Sequence, residues 1–212
     1  MSFPLMPSIV SQSPITPTAE YVSFSGTNQG GTFTVPSPTS DNRFIVYVTT
    51  NQSGTVSLTS CTIAGVDASV ASSGNASFAC ALVPTGTSIA ITPTYASGAG
   101  TSSFYTSAVY VAYDLESPIW RAVGFNAGNA ASVTLTVPEK GLVFVPVQVD
   151  NDNETVTFSS PITSDADGNN GASRGYASGH ANAFTSAQSY TATASIGTPN
   201  ILGCYMGVGV LR

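Results

Sequence analysis

Charge is what this 212-residue sequence has least of. Only 8% of its residues are Asp, Glu, Lys or Arg, against about a quarter in an ordinary soluble protein. Cations are scarcer still: Lys140, Arg43, Arg121, Arg174 and Arg212 are scattered through a chain of net charge −6. Binding to nucleic acid needs clustered cations that displace counterions from phosphates, so no nucleic-acid role is expected. An anionic membrane surface is disfavoured by the same count. No apolar run reaches the roughly eighteen residues of a spanning helix, so no membrane insertion is expected either. The opening, MSFPLMPSIVSQSP, has neither a basic region nor an unbroken apolar stretch. It does not read as a secretory signal peptide, and the expectation is synthesis in a cytoplasm. Cysteine is also sparse. Cys61, Cys80 and Cys204 are odd in number and lack C-x-x-C spacing, which fits neither a full disulfide framework nor a metal cluster. They read as small buried apolar residues, with a single Cys61–Cys80 bridge as the alternative. No cofactor or metal is expected.

What replaces charge is Ser, Thr, Asn and Gly, a surface wetted by hydroxyls and amides. Such surfaces suit dense assemblies and exposed particles. Residues 1–19 form an arm broken by prolines at 4, 7, 14 and 17, which block helix and favour an extended path. Phe3, Leu5, Met6, Ile9, Val10 and Ile15 give this arm more apolar surface than a solvated tail carries. Either it folds back on its own body or it lies on a neighbouring subunit.

From residue 20 the signal is strand after strand. TFTV (Thr32–Val35), TVSLT (Thr55–Thr59), SIAIT (Ser88–Thr92), VTLTV (Val133–Val137) and TVTF (Thr155–Phe158) alternate with period two. FIVYV (Phe44–Val48) is apolar on both faces, as a covered central strand would be. AVYVAY (Ala108–Tyr113), LVFV (Leu142–Val145) and CYMGVGV (Cys204–Val210) complete the set. The final strand puts Gly203, Tyr205, Gly207 and Gly209 on one face, opposite Met206, Val208 and Val210. A glycine face weakens a strand unless something approaches closely, which points to a subunit or a loop packed there.

The chain also repeats itself. VSF (Val22–Phe24) is answered by VGF (Val123–Phe125), TFTVP (Thr32–Pro36) by TLTVP (Thr134–Pro138), and TNQSGTVSLTS (Thr50–Ser60) by DNDNETVTFSS (Asp150–Ser160). Three matches in one register imply a duplication, with halves at about 20–118 and 119–212. The predicted fold is all-β: one two-sheet antiparallel β-sandwich, jelly-roll-like, over residues 20–212, with pseudo-twofold halves and an extended N-terminal arm. Two abutting small sandwiches are the second choice.

Candidate chemistry is thin, and no catalytic residue is assigned. His180 is the one histidine, and a Ser-His-Asp site would require it. No G-x-S-x-G elbow accompanies it, so it reads as a loop or strand-end histidine. Asp150, Asp152 and Glu154 alternate with asparagines, which reads as a solvated hairpin tip rather than a glycosidase pair. DADGNNG (Asp165–Gly171) offers oxygens at calcium-loop spacing but lacks the glycine and glutamate of such loops, so a turn is expected. Residues 164–189 read as a long weakly patterned loop in which Tyr176, His180 and Phe184 are candidate ligand-binding residues, aromatics among amides that could stack on sugar rings.

Taken together, the proline-punctuated arm, the Ser/Thr/Gly-rich strands and segments such as VSLTSCTIAGVDAS (Val56–Ser69) and LVPTGTSIAITPTY (Leu82–Tyr95) resemble β-sandwich virion proteins of tailed bacteriophages or phage-like particles. The resemblance covers most of residues 20–212 and rests on layout, with no invariant motif. It implies a structural part of a virion, in head decoration, a spike or the tail. Its implied partners are other virion proteins and further copies of itself. A carbohydrate-binding module or adhesin recognising a cell-surface glycan is the competing reading.

Overall fold

A computed structural model describes residues 15–25, 30–51, 57–96, 105–117, 119–128, 130–150, 155–169, 174–196 and 203–212. Among these residues there are seventeen strands and no helix. The first nine strands are β1 (Thr18–Ser25), β2 (Gly31–Thr34), β3 (Arg43–Asn51), β4 (Leu58–Ile63), β5 (Val66–Asp67), β6 (Ser69–Ser73), β7 (Ala76–Leu82), β8 (Ser88–Tyr95) and β9 (Tyr105–Tyr113). The other eight are β10 (Trp120–Gly128), β11 (Ala131–Val137), β12 (Leu142–Val149), β13 (Val156–Phe158), β14 (Thr163–Asn169), β15 (Gly175–Ala181), β16 (Gln188–Ile196) and β17 (Cys204–Leu211).

The all-β sandwich class holds, but the sheets number four instead of two. In the first half, sheet β1-β9-β3-β7-β6 faces sheet β2-β8-β4-β5. In the second, β10-β17-β12-β15-β14 faces β11-β16-β13. Strand for strand the two orders are the same, apart from β5, which has no counterpart. In each half the first strand lies beside the last and the second beside the next to last. The two five-stranded sheets then pack on each other: β3 lies against β12, β7 against β17 and β6 against β10. The result is four layers with three cores.

A physical reason for four layers was already present in the sequence. Every residue of β3 and of β12 is buried, so these strands need cover on both faces, and one sandwich covers only one. Ile45 and Tyr47 pack into the first half's own core, whereas Phe44, Val46 and Val48 join Leu142 and Phe144 in the core between the halves. Gly207 and Gly209 face that same middle layer. A Cβ at Gly207 would stand 2.2 Å from Ala76 Cβ, and one at Gly209 would stand 2.6 Å from the Phe78 ring. The close neighbour required by the glycine face is thus the other half of the chain. A second correction concerns Asp150–Glu154: β12 and β13 lie in different sheets, so this segment joins two layers and is no hairpin tip. Residues 151–154 themselves lie outside the described residues.

All three cysteines are free and buried. Cys61 faces the first half's own core and Cys80 the core between halves, so opposite sides of one sheet separate them and the bridge does not form. Burial pushes the Cys61 thiol up to about 12 and the Cys204 thiol up to about 11, the latter against a partly compensating backbone hydrogen bond. Cys80 is raised for the same reason. Because the folded-state values lie above the unfolded value of about 8.5, this stabilisation is complete below that pH and is lost as pH rises through 11 to 12. Unfolding free energy should therefore decline from about pH 8.5 upward. A thiol-reactive dye at pH 8 should label none of the three until denaturant is added; prompt labelling of any would contradict their placement.

Candidate functional site

The duplication shows where the halves diverge. Phe24 pairs with Ala108 and Phe125 with Gly207. Matching VSF to VGF therefore makes Tyr110 and Gly209 equivalent. Tyr110 pairs with Val46, which pairs with Cys80, while Gly209 pairs with Phe144, which pairs with His180. His180 thus stands in β15 where Cys80 stands in β7, and two residues earlier Ser178 matches Phe78. The replacements exchange bulk across the middle layer. On one side Phe78 occupies the space left by Gly209; on the other Tyr110 reaches Ser178.

A bulge completes the polar cluster. Pairing of β14 with β15 shifts register between Ser164 and Ala166, so Asp165 is the extra residue. No such shift interrupts β6 and β7. Bulges re-aim side chains, and this one turns Asp165 onto His180, with Nδ1 of the imidazole 2.7 Å from Oδ2. Both side chains are nearly buried. From the first half, the Tyr110 ring meets the imidazole edge-on at 5.6 Å, and its hydroxyl is bonded to that of Ser178. Tyr21 packs edge-on against Tyr110 at 5.8 Å. Burial, then the Asp165 charge, holds the Tyr110 phenol well above the usual range, and Tyr21 is raised for the same two reasons in the same order.

Ser178, His180 and Asp165 are therefore neighbours, but in an arrangement that ties the halves together. The Ser178 hydroxyl is engaged by Tyr110, and both of these residues are fully buried. The strand that carries Ser178 and His180 is laddered on both sides by β12 and β14. Asp165→Asn, which keeps an acceptor and removes the charge, should cost about 1–2 kcal/mol, the difference between a charged and a neutral hydrogen bond. It should also lower the Tyr21 phenol in an alkaline titration. An unchanged urea midpoint together with an unchanged Tyr21 titration would show that the pair does not form.

The remaining predicted residues are dispersed. Phe3, Leu5, Met6, Ile9 and Val10 lie outside the described residues. Ile15 is 58% exposed, while two residues on Pro17 is buried and the Ala19 N–H donates to Asn182 Oδ1 at 2.8 Å. The arm's root is thus clamped to the second half. Within residues 164–189 lie most of strand β14 and all of strand β15. Their Gly, Ala and Ser residues carry no apolar period because they fit where two sheets close on each other: a Cβ at Gly179 would meet Ile162 and the Thr163 carbonyl at 2.7 Å. Tyr176 stacks on Phe24 at 4.1 Å, and Phe184 is buried against Tyr190 at 5.3 Å. Tyr176, His180 and Phe184 therefore do not form one surface. Asp165 and Asp167 diverge, the first to His180 and the second accepting from the Val156 N–H at 3.1 Å.

One groove opens beside these residues. It measures about 410 Å3, with Phe184 and Tyr190 in its floor and Pro161, Asn182, Thr185 and Gln188 on its rim. Sequence reading missed it because it depends on how far a neighbouring strand extends.

Compared with known protein-family models, curated proteins and solved structures, the chain matches none.

Proposed function

We propose that the protein is a structural component of a phage or phage-like virion, in head decoration, a spike or the tail, and that it assembles through its N-terminal arm with other virion proteins and with copies of itself. The observation that carries this reading is the root of the arm. Pro17 is buried and the Ala19 N–H is bonded to Asn182 of the second half, while Ile15, the next apolar residue outward, is exposed. A segment rich in Phe, Leu, Met, Ile and Val has apolar surface to bury against a partner. The outer faces fit a crowded setting. Along β8, β11 and β16 the outward residues Ser88, Thr92, Thr94, Ser132, Thr134, Thr136, Ser189 and Thr191 are exposed and uncharged, and the Thr134 and Thr191 hydroxyls bond across strands at 2.8 Å. Such faces approach one another without the desolvation cost of ions.

Deletion of residues 1–14 should leave thermal unfolding within about 2 °C of the full chain, because an arm that serves a partner leaves the buried Pro17 and the Ala19–Asn182 bond in place, and changes away from packing or bonding features shift stability by about 0.5 kcal/mol or less. The same deletion should abolish incorporation into particles purified from producing cells. Normal incorporation of the truncated chain would overturn the reading.

A further inference from the structure

The groove beside Phe184 and Tyr190 is a place where the two halves differ in shape as well as in sequence. In the first half, β4 runs along β8 as far as the pair Ile63–Ile91 and then turns into β5. In the second half, β13 ends at the pair Phe158–Ala194, and no counterpart of β5 follows. The pairs Phe33–Ile89 and Leu135–Tyr190, set in the repeated TFTVP and TLTVP, make Ile89 and Tyr190 equivalent. Ile89 is 1% exposed, whereas Tyr190 is only half-buried. The shortened strand has uncovered an aromatic residue where its twin is sealed.

Tyr190 is also held still. Its hydroxyl lies 3.1 Å from the Ser159 hydroxyl and 3.3 Å from the carbonyls of Ser159 and Ser160, and Phe184 braces the ring edge-on. Around this aromatic floor stand the amides of Asn182 and Gln188 and the hydroxyl of Thr185, all exposed. No Asp, Glu, Lys, Arg or His lines the groove among the described residues. Amides and hydroxyls both donate and accept, as the vicinal hydroxyls of a sugar require. The negative face of a fixed aromatic ring attracts the C–H face of a pyranose. An uncharged lining offers no counter-charge to a phosphate, a carboxylate or an ammonium group. The volume falls within the range of small-ligand sites, which is about 300–1,000 Å3.

We infer that this groove binds a neutral carbohydrate, one or two pyranose rings of a surface glycan, with Tyr190 as the stacking platform and Gln188 and Thr185 as hydrogen-bonding residues. The site lies beside the root of the arm, whose Ala19 N–H is bonded to the rim residue Asn182, but Tyr190, Gln188 and Thr185 all belong to the second half, so binding is tested independently of arm-mediated assembly. It also differs in place from the Tyr176–His180–Phe184 loop expected from sequence, of which it retains only Phe184.

The test uses the full chain on an array of neutral hexose and N-acetylhexosamine oligosaccharides beside sialylated and uronate-bearing ones, followed by saturation-transfer NMR with each hit. Binding to neutral members is expected, with saturation strongest on ring C–H protons. Thr185→Trp, which fills the groove from its rim, and Gln188→Ala should each raise Kd at least tenfold. Both positions are exposed, so melting should not change. Silence across the neutral members, binding confined to acidic members, or hits whose affinity survives both substitutions would each overturn the assignment.

Discussion

Replacing Arg43 with methionine is expected to cost about 3–5 kcal/mol, because four carbonyls lose their charged donor and each acceptor left buried and unpaired costs about 1–3 kcal/mol. Arg43 is fully buried at the start of β3. Its Nε donates to the Val83 carbonyl, Nη1 to Pro36, and Nη2 to Thr85 and Gly86, each at 2.8 Å. Charge-assisted bonds of this kind contribute about 1.5–3 kcal/mol each, but their sum overstates the loss because some of the carbonyls regain water once the turn loosens. Arg43→Lys should recover only part of the stability, since one ammonium cannot span the fan of acceptors that a planar guanidinium reaches. The second half supplies an internal control. Its Val83 counterpart is Phe184: the Val83 N–H donates to the Arg43 carbonyl, and the Phe184 N–H donates to that of Gly141. Gly141 therefore holds the place of Arg43 with no side chain at all. Hydrogen exchange in Arg43→Met should lose protection over residues 83–88 and keep it over 182–188. An unshifted urea midpoint, or equal loss of protection in both turns, would contradict this role.

That pair of turns shows how unevenly the fold was legible. The all-β character followed from period-two alternation in segments such as SIAIT and VTLTV, and these became β8 and β11. The duplication followed from three in-register matches, and the strand orders of the two halves agree with it. The number of layers did not follow. FIVYV and LVFV are both apolar on two faces, yet the junction DLESPIW (Asp114–Trp120), which carries the one tryptophan and reads as no flexible linker, favours a single sandwich. Counting the faces that needed cover would have required the additional layers. Strands β7, β14 and β15 escaped notice for a related reason. ASFACAL and GYASGHA are built from small residues, which propensity reads as loop but which a narrow gap between sheets demands.

The candidate sites were less legible than the fold. His180 had no motif because its partner, Asp165, is brought to it by a bulge, and one extra residue in a strand has no composition of its own. Tyr110 joins them from the other half, across the middle layer. The groove depends on a strand that stops early, visible only when β13 is compared with β4. The exchange of Phe78 and Gly209 for Ser178 and Tyr110 was equally hidden. Each residue is ordinary alone, and the pattern exists only between equivalent positions.

The middle layer yields the second large effect. Gly207→Val should destabilise the protein by about 3 kcal/mol or more, the upper end of what overpacking costs. Any Cβ at Gly207 would lie 2.2 Å from Ala76 Cβ and 3.6 Å from Ala76 Cα, whereas carbon atoms in contact settle at about 3.5–4.0 Å. Neither strand can yield alone. Gly207 pairs with Phe125 in β10, and Ala76 pairs with Thr50 in β3. The two five-stranded sheets must therefore part together, thinning contacts throughout the core that holds Phe78, Trp120 and Phe144. This predicts strong coupling across the interface. Gly207→Ala should be costly alone, and Ala76→Gly should cost about 0.5–1 kcal/mol through backbone entropy. The double variant should be more stable than Gly207→Ala alone, with a coupling energy of about 1–3 kcal/mol. Guanidinium unfolding of the four proteins measures it directly. Simple additivity would mean that the halves do not meet at these residues, and the four-layer packing would fall with it.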